Sequence, residues 1–339
     1  MAVTKAGTAK PGAPGGGAPA GDSTETGVTE TGVTERTVDI HGHRVSYRTA
    51  GAAPGSAAVH GLAQPTVLLV HGIAGDARTW DALLPLLGRW AYVVVPDLPG
   101  HGGSQPAGGD CSIAAYASSL RDLMRALDLA PATVVGHSLG GGVAMQLSYM
   151  FPRSVQRLVL IAAGGLGPEV SLFLRAATLP GAELVLPVIA SRPVLAAGRL
   201  VDRAGRAVGW RVRPGVAEAC RGIAALARPG TRTAFLRTVR ASLTLAGQAV
   251  DARDRLYLTQ MMPTLLVWGA RDAILPVGHG YEAHQRAVGS RLEVLESVGH
   301  FPQCDEPARV AALLEQFVAE TEPAALDDSD IQALVLRSR

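Results

Sequence analysis

The stretch Ala132-Thr133-Val134-Val135-Gly136-His137-Ser138-Leu139-Gly140-Gly141-Gly142 constrains this chain more than any other. A short β-branched run breaks abruptly into a serine flanked by glycines. A helical pattern follows (Val143, Ala144, Leu147, Met150, Phe151) and stops at Pro152. So sharp a passage from buried strand to helix brings two backbones close together, which Gly136 and Gly140 permit. The turn lifts the Ser138 hydroxyl above the sheet edge and points the first free helix N–H groups at whatever the serine attacks. The pentapeptide G-x-S-x-G alone says little in a chain with 40 glycines. The strand before it and the helix after it give it weight.

A hydroxyl is a poor nucleophile at neutral pH, so Ser138 needs a base, and the base needs an orienting carboxylate. In a parallel sheet both belong at the carboxyl ends of other strands. Pro263 to Gly269 reads as a buried strand followed at once by Ala270-Arg271-Asp272. Arg291 to Glu296 reads as another, followed by Ser297-Val298-Gly299-His300-Phe301-Pro302. The order is therefore Ser138, Asp272, His300: nucleophile, acid, base.

In this order and these surroundings the chain resembles the serine hydrolases of the α/β-hydrolase fold. The likeness covers residues 36–322. It is carried by the elbow, by His71-Gly72-Ile73-Ala74-Gly75, by Asp97 to Ser104, by Gly269 to Asp272 with Pro276, and by Gly299 to Pro302. The nearest groups are actinobacterial hydrolases classed with epoxide-hydrolase-like, esterase and carbon–carbon hydrolase enzymes. The resemblance implies an α/β fold: a mostly parallel eight-stranded sheet with helices on both faces and a helical cap insertion. It also implies an oxyanion hole from the backbone N–H groups of Ile73 and Leu139, and chemistry that uses no cofactor and no metal. Dehalogenase and ordinary epoxide-hydrolase chemistry form an alkyl-ester intermediate on a carboxylate nucleophile, and Ser138 counts against both.

Other polar residues have plainer readings. His71, like Gly72, holds the turn after Val67 to Val70, and His101 is a hydrogen-bonder in a glycine-rich turn. His137, at the variable position of the elbow, is a candidate pocket residue. His279 and His284 read as surface. Asp97 follows a strand but sits where the family keeps a structural carboxylate, and Glu169 lies seven residues beyond its strand, too far to rival Asp272. Cys304 reads as a buried thiol.

The formal charge of +2 gives no general support for a nucleic-acid partner. Three scattered cysteines without metal spacing suit reduced thiols in a cytosol, so a cytoplasmic location is expected. No run of 18 or so apolar residues reads as a transmembrane segment. Residues 1–35 are built mostly of Gly, Ala, Pro and Thr, have almost no large apolar residues and repeat Glu-Thr-Gly-Val-Thr at 25 and 30, which reads as a disordered tail without a signal peptide.

The core is expected over 36–163 and 250–322, with a helical cap over 164–249 and a C-terminal tail, 323–339, holding a short helix behind Asp327-Asp328-Ser329-Asp330. The cap carries twelve arginines against four acidic residues, an excess of eight positive charges. Such an excess either draws acidic substrates or, weakly, a membrane surface of anionic lipid, or it reflects Arg as the surface residue of a Lys-poor chain. Its apolar remainder suits a greasy pocket, poor in the aromatics that sugars need. The expected activity is hydrolysis of an ester-type bond in a small apolar acyl substrate. Cleavage of a carbon–carbon bond by the same triad is the alternative enzyme reading, and a ligand-binding protein on a hydrolase scaffold the alternative outside enzymes.

Overall fold

The computed structural model describes residues 24–28, 32–53, 64–106, 109–129, 131–207, 209 and 212–337. Its main sheet is built from β1 (Thr24–Val28), β2 (Thr34–Ile40), β3 (His43–Ala50), β4 (Thr66–Val70), β5 (Tyr92–Pro96), β6 (Ala132–His137), β7 (Val155–Ile161), β10 (Thr264–Gly269) and β11 (Arg291–Leu295). Two short strands, β8 (Leu243–Thr244) and β9 (Gly247–Gln248), form a separate hairpin. The main sheet runs β1-β2-β3-β5-β4-β6-β7-β10-β11. Pairing is antiparallel from β1 through β5 and parallel from there on.

The eight expected strands are all present, and β1 joins them as a ninth at the edge. This corrects the reading of residues 1–35 as a disordered tail: Thr24 to Val28 pairs with the Thr34–Thr37 end of β2, and β2 itself starts inside that segment. Glu25 to Val28 of the first copy of the repeat pair in this way, and Gly32, just before β2, takes a φ of 73°. Edge pairing supplies order here that composition does not. The rest of the segment, residues 1–23, lies outside the described residues.

Strands β4, β6 and β10 are buried along their whole length, which is why they read as unbroken apolar runs. Side-chain alternation splits them between two faces. Leu68, Val70, Val134 and Leu266 pack on one face with α2 (Ile113–Ala126) and α3 (Leu139–Met150). Val67, Leu69, Val135 and Val267 pack on the other with α1 (Leu84–Leu87) and the later helix Pro307–Glu320.

Between β7 and β10 the described residues form five α-helices: α4 (Leu172–Ala176), α5 (Ala182–Ile189), α6 (Arg192–Ala207), α7 (Pro214–Ala225) and α8 (Pro229–Ser242). They carry a third apolar cluster, with Ala182, Leu186, Leu226 and Phe235 at its centre. Helix α8 is tied to the body through the buried Tyr116 Oη–Thr238 Oγ1 bond of 2.9 Å. Helices α9 (Gly278–Arg286), α10 (Pro302–Asp305), α11 (Pro307–Glu320) and α12 (Asp328–Arg337) complete the chain. The Asp327 carboxylate accepts from the backbone N–H groups of Ser329 and Asp330 and so caps α12.

Strands β4 and β6 are neighbours, yet the chain leaves them in opposite directions across the sheet. In open α/β sheets ligands bind outside the carboxyl ends of the strands at such a switch. The pairing of Val70 with Gly136 sets the two ends level, so the loops bearing Ile73 and Ser138 emerge side by side.

Candidate active site

Ser138 leaves β6 with φ 55° and ψ −118°, a conformation that a side chain with a Cβ rarely adopts. Neighbouring groups over-determine it. The Ser138 N–H donates to Ile161 O at 3.0 Å, and the Ser138 carbonyl accepts from Gly141, Gly142 and Gly164. A Cβ on Gly136 would stand 2.2 Å from the Gly140 carbonyl oxygen, and one on Gly140 would stand 2.3 Å from that of Val70. Both glycines are therefore steric requirements of the turn.

The N–H groups of Leu139 and Gly140, which open α3, have no intrahelical carbonyl to meet. Ile73 faces them from the loop after β4, and Gly72 comes so close that a Cβ there would sit 3.1 Å from that of Ser138. His71 fixes this loop. Its Nδ1–H donates to Gly72 O at 2.8 Å, and its Nε2 accepts from Leu98 N at 3.0 Å. With one ring nitrogen donating and the other accepting, the imidazole is neutral, and burial lowers its pKa. His101, also fully buried, donates from Nδ1 to Pro99 O at 3.2 Å, and its pKa is lowered to about 3, chiefly by desolvation.

Asp272 and His300 meet across the ends of β10 and β11. His300 Nδ1 lies 2.7 Å from Asp272 Oδ2. The other carboxylate oxygen accepts from Ile274 N and Leu275 N at 2.8 and 2.9 Å, so the group cannot rotate away. A carboxylate only accepts, so the His300 proton sits on Nδ1 and Nε2 keeps its lone pair.

The other candidates separate from this pair. Asp97 accepts from Ala77 N at 2.7 Å and Gly103 N at 2.8 Å, tying two loops in a buried position. Replacing it with Asn puts an N–H against one of those donors, so Asp97→Asn should cost about 1–3 kcal/mol in urea unfolding while turnover of the folded protein changes only a few-fold. Glu169 bonds to His279 Nε2 at 2.7 Å, not to His300. His279, read as surface, is 4% exposed. The edge-to-face contact with Trp268 and the missing side chain of Gly167, where a Cβ would come within 2.2 Å of the ring, let it in. The Cys304 thiol is largely buried and pushed up to about 12, which leaves it unreactive near neutral pH.

His137 does more than line a pocket. Its buried ring donates from Nε2 to the carbonyl of His300 at 2.7 Å and lies against the His300 and Phe301 rings. Burial lowers its pKa well below the ordinary value, so the bond persists as that of a neutral donor. The elbow thus holds the histidine loop as well as Ser138, a link that no spacing in the sequence signals.

Ser138 and His300 both line a cavity of about 280 Å³ whose other walls include Ile73, Phe173, Leu174, Leu226 and Phe235. A smaller space of about 50 Å³ lies on the other side of Ser138, against Leu139, Ile274 and Ser242. Helix α7 roofs the larger cavity and is fastened on both sides of it. Gly215 N donates to Asp305 Oδ1 at 2.7 Å, and Arg213 donates to the Ser297 carbonyl, both in the histidine loop region. Near the other end Arg221 pairs with Glu218 at 2.6 Å and reaches Asp76, beside the loop of Gly72 and Ile73, at 3.9 Å. Among the described residues no group of three His, Cys, Asp or Glu is placed to hold a metal.

A strained serine at a strand–helix elbow, an aspartate–histidine pair on later strands and a glycine loop at the switch point define the α/β-hydrolase architecture. The sequence profile of that fold matches residues 65–307, and the chain belongs to the alpha/beta hydrolase fold family. It is 41% identical over 304 residues to an uncharacterized protein of Mycobacterium tuberculosis, covering 88% of this chain and 85% of the other. It is 28% identical over 263 residues to a 2-hydroxy-6-oxo-2,4-heptadienoate hydrolase of Pseudomonas putida, covering 75% of this chain and 88% of that enzyme. Among solved structures it is similar to a hydrolase from Pseudomonas aeruginosa, with a TM-score of 0.64, 25% identity and 84% and 98% coverage. A thermophilic esterase from Thermogutta terrifontis superposes with a TM-score of 0.62 at 23% identity, covering 84% and 96%. No single described helix is long and apolar enough to cross a membrane.

Proposed function

We propose that this chain is a serine hydrolase that cleaves esters of small apolar acids through an acyl-enzyme. The observation that carries the reading is the Asp272–His300 bond at the wall of an apolar cavity that Ser138 also lines. His300 Nε2 takes the proton of Ser138 as Oγ attacks the substrate carbonyl carbon. The N–H groups of Ile73 and Leu139 hold the resulting oxyanion, each such donor being worth about 3 kcal/mol in other serine hydrolases. The intermediate collapses by expelling the alcohol, which leaves with the proton from His300. Water, deprotonated by His300, then attacks the acyl carbon, and the proton returns to Ser138 Oγ as the acid is released.

The cavity narrows the substrate. Its volume lies at the small end of ligand pockets, roughly 300–1,000 Å³. Among the described residues its only carboxylate liner is Glu218, already paired with Arg221. A neutral short or medium acyl chain fits these walls better than a carboxylate, since no Arg or Lys among the described residues lines the space. That weighs against the carbon–carbon hydrolase reading, since the substrate in that relative's name is an acid.

Labelling with a fluorophosphonate, followed by turnover of a graded series of p-nitrophenyl esters, tests the proposal. The expected result is a label on Ser138, absent in Ser138→Ala, and an optimum at short to medium acyl chains. Labelling without turnover of any ester would shift the reading to carbon–carbon cleavage. Absence of both would point to a binding protein.

A further inference from the structure

The cap has an apolar outer surface that the body of the protein does not share. Among the described residues ten of the fifteen exposed large apolar side chains lie in residues 164–249, about a quarter of the chain. Helix α5 is the clearest case. Ala182 and Leu186 face inward, into the cluster shared with α8. Leu184, Val185 and Val188 face outward and are 78%, 55% and 63% exposed. Apart from Glu183, which pairs with Arg240 at 2.5 Å, α5 is apolar on its outward as well as its inward face, so it has a second surface to cover.

The patch continues onto the elements that flank α5. Leu172 and Phe173 of α4 are exposed, and Phe173 also lines the larger cavity, so the patch reaches the cavity mouth. On the other side lies α6, which meets α5 at a 50° bend and exposes Val194 and Leu200. In sequence its Arg192, Arg199, Arg203 and Arg206 recur at spacings of seven, four and three, one stripe of a helix. Arg192 and Arg203 are exposed. Exposed leucines and valines beside an arginine stripe are the composition of a helix lying in a lipid interface. The excess of eight positive charges is confined to the cap, since the whole chain carries only +2.

We propose that the outer face of α4, α5 and α6 docks on an anionic lipid bilayer, with the cavity mouth turned towards the lipid. Two other occupants fit less well. A second copy joined by a two-fold axis through this face would set the arginine stripe against itself. Residues 1–23 of this chain offer only Met1 and Val3 as large apolar side chains, too few to cover it. The docking reading needs no assumption about the reaction, and its test is read without turnover.

The full chain is sedimented with vesicles of phosphatidylcholine alone and of phosphatidylcholine with phosphatidylglycerol. Binding is expected to the anionic vesicles and to fall as salt rises. The double substitution Leu184→Asp/Val188→Asp should weaken it at least about ten-fold, since two side chains that would enter the interface become charged. The thermal midpoint should stay near that of the wild type, because both positions are exposed. Arg192→Glu/Arg203→Glu should weaken binding without touching the apolar face, and it tests the proposal independently if the first variant misfolds. Failure of the wild type to sediment with anionic vesicles at low salt would overturn the proposal. So would binding that both double variants retain. A wild type that elutes as a dimer, with Leu184→Asp/Val188→Asp a monomer, would replace the lipid by a second copy.

Discussion

Asp272→Asn is expected to lower kcat for a p-nitrophenyl ester by about 10⁴-fold, the size of the effect when the corresponding carboxylate is neutralised in another serine-hydrolase family. The structure gives the reason. An asparagine amide placed against Nδ1 moves the imidazole proton to Nε2, where the base must be free. The two bonds from Ile274 and Leu275 to Oδ1 survive, so the fold and the ring position should persist. Ser138→Ala and His300→Ala should each remove nearly all turnover, and combining them should cost little more, because triad members act as a unit. The check is kcat of the single and double variants beside their circular dichroism spectra. If Asp97→Asn abolished turnover in a folded protein while Asp272→Asn did not, the acid would be misassigned.

Acid should unfold this protein early. His71, His101 and His137 are fully buried, and desolvation lowers all three pKa values, that of His101 to about 3. In the unfolded chain they titrate near 6.5. Below that pH the unfolded state binds protons that the folded state refuses, so stability is full above about pH 6.5 and falls as the pH is lowered. Each imidazole contributes up to about 1.4 kcal/mol per pH unit until its folded pKa is reached. Two units of acidification can therefore remove a large part of a typical 5–15 kcal/mol stability. Urea midpoints between pH 8 and 4.5 check this. His101→Asn should flatten the slope, and a midpoint independent of pH would refute the idea.

How much could be read beforehand depended on where the cause of each feature lies. Strands β4, β6 and β10 were legible because burial on both faces makes an apolar run, and a turn residue ends each. Asp272 and His300 were legible because a parallel sheet brings the carboxyl ends of its strands to one rim, whatever their separation in the chain. Strand β1 was not, since its Thr, Glu and Gly carry no apolar period and its order comes from pairing with β2. The burial of His279 depends on a missing side chain at Gly167, and the second role of His137 depends on a carbonyl 163 residues away. No local pattern encodes either.

Helix α7 has a consequence for traffic through the molecule. Gly215 and Arg213 fasten it to the histidine loop, and Arg221 holds it beside Asp76. A swing of this roof would pull on the loops that carry His300 and Ile73. The region over the cavity thus divides into α7 and α4, whose N-cap Ser171 donates its N–H to the Ile274 carbonyl beside Asp272, and α5, which packs against α8 instead. On the proposed mechanism, ligand exchange that moves α5 alone would leave the loops of Ser138, Asp272 and His300 in place.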